Sequence, residues 1–78
     1  MKTVKISLNS IDKVKSFVND ITKFDVDFDL VSGRYVIDAK SIMGVFSMDL
    51  SRPLKLQIDI EGDRMDDILK EIEEFMIQ

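Results

Sequence analysis

The residues that could carry chemistry in this 78-residue chain are hydroxyls and carboxylates, because it has neither histidine nor cysteine. Ser10 and Ser41 each stand one residue ahead of a helical pattern. A serine there caps the helix, its hydroxyl accepting from a backbone N–H that has no partner within the helix. Asp25, Asp27 and Asp29 resemble a metal-ligand run, but Val26 and Phe28 between them read as a strand. A calcium loop needs a compact turn with a central glycine, whereas carboxylates along a strand spread apart, so no metal site is expected. Asp66, Asp67, Glu71, Glu73 and Glu74 form a solvated helix face. Lys70, at helical spacing from Asp66 and Glu74, partly balances it. Neither acidic group meets a plausible acid or base partner. With no phosphate-cradling glycine loop and no nucleophile–base pair, neither an enzyme nor a cofactor is expected.

Alternating apolar residues supply the elements that must position these groups. Val4, Ile6 and Leu8 predict a first strand, and Ile11, Val14, Phe17, Val18 and Ile21 predict a helix from the Ser10 cap to about Lys23. Asp12 lies in its first turn, where the helix dipole favours negative charge. Val26, Phe28 and Leu30 make a second strand; Ser32-Gly33 turns it into a partner carrying Tyr35, Ile37 and Ala39. A short helix follows Ser41, and Asp49 to Pro53 is a loop. Leu54, Leu56, Ile58 and Ile60 make the clearest strand. Gly62-Asp63 ends that strand, and Asp63 caps a last helix with the stripe Met65, Ile68, Leu69, Ile72, Phe75 and Met76. The order is βαββαβα. Every strand alternates, so the expected fold is α+β: an antiparallel sheet with one wet face and helices on the other.

Composition narrows the function classes. The length fits one small domain spanning residues 1–78. A net charge of −4 argues against binding a phosphate backbone or adsorbing to a membrane through a basic helix. The absence of cysteine fits a reducing cytoplasm. Met1-Lys2-Thr3 runs straight into strand pattern, so neither a signal peptide nor a spanning helix is expected.

Lys40 to Met48 is the most distinctive stretch. Ile42, Met43, Val45, Phe46 and Met48 are too many apolar residues for one face of a short helix, so some must look outward. Gly44 within it implies a bend or a close approach. The run Lys40-Ser41-Ile42-Met43-Gly44-Val45 resembles the regulatory-serine segment of the HPr family, the histidine-containing phosphocarriers of the bacterial sugar phosphotransferase system. Thr22 to Asp27, Gly33 to Val36 and the order of elements extend the resemblance over nearly the whole chain.

The resemblance implies an open-faced sandwich of four antiparallel strands and three helices. It also implies a phosphoacceptor histidine ahead of the first helix, with an arginine and a proline after it. Counting back from Ser41 without a gap, those positions are Ser10, Asp12 and Lys13. Ser10 cannot inherit a relay, since a serine phosphoester does not give its phosphoryl group up easily, and Asp12 would repel the incoming phosphate. A carboxylate acceptor such as Asp12 is the catalytic alternative, but it would need a magnesium site that the sequence does not show. The third alternative is a purely structural or interaction relative with no phosphorylation.

Ser41 carries over the family's regulatory phosphorylation site, with Lys40 and the helix N-terminus as its electrostatic support. Ile42, Met43, Phe46 and Met48, with Asp12 and Lys15 on the first helix, carry over partner binding. Lys13 and Asn19 complete a face of mixed charge where the family tends to be basic. The expected partners are proteins: an HPr kinase, a transcriptional regulator or a protein of the phosphotransferase system. A monomer or weak dimer is expected.

Overall fold

The computed structural model describes residues 2–60 and 62–77. Four strands, β1 (Lys2–Ile6), β2 (Asp27–Ser32), β3 (Tyr35–Asp38) and β4 (Leu54–Asp59), form one antiparallel sheet in the order β1-β4-β2-β3. Helices α1 (Ile11–Thr22), α2 (Ile42–Phe46) and α3 (Arg64–Glu71) pack on one face, α1 touching both of the others. The predicted order and the open-faced α+β arrangement are those observed.

Alternation drives this arrangement. Val4, Ile6, Phe28, Leu30, Leu56 and Ile58 point inward and are buried, as are Val14, Phe17 and Ile21 of α1, Val45 of α2 and Ile68 of α3. Phe17 meets Phe75 edge to face at 5.6 Å, joining α1 to the C-terminal turn. On the wet face the register sets Lys5 opposite Lys55, Asp27 opposite Asp59, and Asp29 opposite Asp38. Like charges paired this way disfavour the sheet, so burial on the other face must outweigh them.

Several elements depart from the reading above. Ile11 is 63% exposed, because the first turn of α1 projects beyond the core that Val14, Phe17 and Ile21 reach. The hairpin turn is Gly33-Arg34, between the paired Ser32 and Tyr35. Gly33 has φ +58 and Arg34 is not in the positive-φ region, the pattern of a type II′ turn. Asp63 is already helical at φ −71, ψ −21, and its side chain makes no cap bond. The last helix stops at Glu71 and tightens into a 3-10 turn over Glu73–Phe75, which turns Phe75 into the core. Lys70 makes no ion pair among the described residues. Instead Lys23, at the end of α1, donates to Glu71 at 2.7 Å and lies 3.8 Å from Asp20.

The sheet's two edges are treated differently. Beside β1 the C-terminal segment pairs in part: Ser7 donates to the Phe75 carbonyl, Ile77 donates to the Lys5 carbonyl, and Ile6 bridges Met76. Among the described residues no strand pairs with the outer side of β3.

Candidate functional site

Ser10 has extended backbone angles, and its Oγ accepts from the Lys13 N–H at 3.1 Å, capping α1. Asp12, Lys13, Lys15 and Asn19 are all exposed, so the start of α1 presents mixed charge to solvent. Ile11 adds an apolar side chain to that surface, and sequence reasoning missed it. Its place as the first helical residue after the cap was the signal available, since a side chain there can overhang the core.

Ser41 caps α2 in the same way, its Oγ accepting from the Gly44 N–H at 3.3 Å. The serine itself is exposed. Asp38 sets the approach, its carbonyl accepting from the Ser41 N–H and its carboxylate from the Lys40 N–H at 2.9 Å. Lys40 does not serve as the expected support for a phosphate. Its Nζ donates to the Phe24 carbonyl at 2.7 Å and lies 5.7 Å from the centre of the Phe28 ring, directed into the body of the molecule. What remains at the Ser41 hydroxyl is the cap and the open side of a short helix.

The five residues of α2 divide as the sequence required. Val45 is buried, while Ile42, Met43 and Phe46 are exposed, Met43 at 77%. Met48 is the exception among the expected partner residues: it lies past the helix and is half-buried against the core. Gly44 explains how α2 sits so low. A Cβ there would come within 2.6 Å of the Ile37 Cγ2, so only glycine lets the helix backbone approach β3 this closely.

No group of His, Cys, Asp or Glu side chains able to hold a metal occurs among the described residues, and no helix among them is long and apolar enough to cross a membrane. An open cleft of about 530 Å³ lies between the β2–β3 turn and the end of α2, lined by Arg34, Tyr35, Ile37, Met48 and Asp49 among others. Ser10 and Ser41 are not part of its lining. The Ser51 hydroxyl and N–H, both donating to Asp49, hold that carboxyl below the usual range.

The family model for the phosphotransferase-system (PTS) HPr component phosphorylation site matches residues 13–78. The chain belongs to the HPr family. The matched span opens at Lys13, three positions after Ser10, and takes in Ser41 and all of α2. No curated protein sequence matches the chain. Among solved structures, HPr-C-His from Thermoanaerobacter tengcongensis is 27% identical, with a TM-score of 0.75 over 95% of this chain and 89% of that one. The phosphocarrier protein HPr of Bacillus anthracis is 23% identical, with a TM-score of 0.69 over 97% and 94%. The Bacillus subtilis catabolite repression protein Crh, described as a swapped dimer, is 23% identical, with a TM-score of 0.62 over 96% and 90%. HPr proteins are phosphocarriers rather than enzymes, and they act with the proteins and kinases of the phosphotransferase system. This HPr-like chain contains no histidine at all.

Proposed function

We propose that this HPr-like protein is a regulatory binding module without histidine phosphocarrier activity, switched by phosphorylation at Ser41. The observation that carries the reading is the pairing of an exposed serine hydroxyl with the exposed apolar side chains of Ile42, Met43 and Phe46 on one short helix. A phosphoserine brings roughly −2 of charge and three strong acceptor oxygens. Set beside that apolar surface, it changes which protein docks there. The mixed charge of Asp12, Lys13 and Lys15 fits a partner different from one that recognises a basic surface around a phosphohistidine. Ile11 offers a further exposed apolar side chain, on α1, whereas Met48 packs against the core.

The test is incubation with an HPr kinase and ATP, read by intact-mass and peptide mass spectrometry. A single phosphoryl addition of about 80 Da on Ser41 that vanishes in Ser41→Ala is expected. No addition, or addition elsewhere, defeats the switch. A parallel incubation with phosphoenolpyruvate and the general phosphotransfer enzyme should leave the protein unlabelled; rapid, reversible labelling would defeat the loss of the relay. Met43→Asp should keep the fold and abolish capture of a transcriptional regulator or phosphotransferase-system protein that wild type binds.

A further inference from the structure

β3 is an edge strand guarded only by its shortness and by the charge of Asp38. It has no proline, no lysine and no bulge, and Tyr35 and Val36 are 72% and 62% exposed. The direction of its free backbone groups follows from the register. Ala39 donates to the Phe28 carbonyl, so in an antiparallel ladder the N–H and C=O groups of Ile37 and Tyr35 also face β2. Those of Val36 therefore face outward and free, as does the Asp38 N–H, while the Asp38 carbonyl is taken by the Ser41 N–H.

We propose that this edge pairs with the same edge of a second copy, forming an antiparallel β3–β3 ladder on a two-fold axis at Val36. The axis position follows from parity and charge. A two-fold at Tyr35 or Ile37 would use groups already bonded to β2. One between neighbouring residues would pair an outward group with an inward one. One at Asp38 would set a carboxylate against itself. At Val36, its N–H and C=O exchange two bonds with Val36 of the second copy. Tyr35 then lies opposite Ile37 of the second copy, and Arg34 opposite its Asp38. Both ends of the pairing thus oppose unlike charges, and its centre is apolar, a pattern that fits a second copy better than an arbitrary peptide.

The contact is short, well under the size of a permanent interface, so it forms a transient dimer with a dissociation constant on the order of 0.1–1 mM. This edge includes neither the Ser41 hydroxyl nor the exposed side chains of α2, although Asp38 also accepts from the Ser41 N–H, and the proposal does not rest on the regulatory reading.

Sedimentation equilibrium from about 20 μM to 1 mM, with amide NMR spectra along the same series, tests it. Concentration-dependent association is expected, with shifts centred on residues 34–38. Val36→Pro removes the outward N–H without touching a bond to β2, and it should give a folded monomer. Arg34→Asp and Asp38→Arg should each weaken self-association at least about tenfold, and their mixture should restore it. A monomer at 1 mM, a dimer indifferent to Val36→Pro, or a mixture that fails to associate would each overturn the proposal. If Asp38→Arg disturbs the Lys40 turn, its own amide spectrum reveals this, and Val36→Pro with Arg34→Asp decides alone.

Discussion

Ser10 and Ser41 occupy equivalent positions in their helices, yet the same deletion should cost differently at each. Both hydroxyls accept from an N–H three residues on, at 3.1 and 3.3 Å. Replacing a serine cap by alanine costs about 0.5–2 kcal/mol. α1 has twelve residues and buries Val14, Phe17 and Ile21, so it survives the loss of one cap. α2 has five residues and a central glycine, too few to hold helical geometry without packing and capping. Ser10→Ala should therefore lower global stability by about 1 kcal/mol while leaving hydrogen exchange in α1 graded from its first turn. Ser41→Ala should lose a similar amount but raise exchange throughout α2, visible at the Val45 and Ser47 amides. Equal protection of α2 in the two variants would contradict this. The sequence placed both caps correctly, because a cap is local. It found the cap position of the last helix at Asp63 too, but no cap bond forms there, because the backbone of Asp63 already has helical angles. It also mistook the role of Lys40, whose carbonyl partner sixteen residues away has no local signal.

At the scale of an element, Gly44 decides how α2 sits on the sheet. Helix propensity alone favours Gly44→Ala by about 1 kcal/mol. Against that, the added methyl would lie 2.6 Å from Ile37 Cγ2 and 3.2 Å from Ser41 Oγ. Ile37 is β-branched and stiff at χ1, so it cannot swing clear as an unbranched side chain would. Overpacking costs about 1–3 kcal/mol and outweighs the propensity gain. Gly44→Ala should thus destabilise the protein in urea melts, and Gly44→Ala with Ile37→Val should not relieve it, since valine keeps the γ-methyl. Ile37→Ala in the same background should recover part of the loss by removing the clashing atom. A Gly44→Ala protein more stable than wild type would refute the packing argument. The glycine was legible in the sequence as a close approach, but its neighbour was not, because Ile37 reaches it only through the tertiary fold. The strands were legible for the opposite reason: their alternation is the burial pattern itself. The last helix was legible as an apolar stripe, which a 3-10 turn continues without announcing the change of pitch.

For the whole molecule, the question is what fastens the C-terminal segment, since it both closes the core and pairs beside β1. Two candidates bridge distant parts of the chain: the Phe17–Phe75 edge-to-face contact and the Lys23–Glu71 ion pair. Phe75 is 3% exposed, and truncating a buried phenylalanine costs about 3–5 kcal/mol. A chain of this length has only roughly 4–12 kcal/mol of stability to lose. Lys23 is solvated, and an exposed pair contributes little. Its hydrogen bond to Glu71 raises the lysine above its ordinary pKa. The sign follows: that contribution is complete below the ordinary lysine range and is lost as pH rises through the raised value. Phe75→Ala should accordingly lose about a quarter or more of the stability at every pH, with faster exchange at the Ser7 and Ile77 amides. Lys23→Met should shift the melting midpoint slightly at neutral pH and match wild type once the lysine is deprotonated. Thermal melts of the three proteins from pH 7 to about 12, where the gap between Lys23→Met and wild type should close, separate the terms. If Lys23→Met proved as damaging as Phe75→Ala, the closure of this fold would be electrostatic, and the assignment of its stability to the buried face of the sheet would fail.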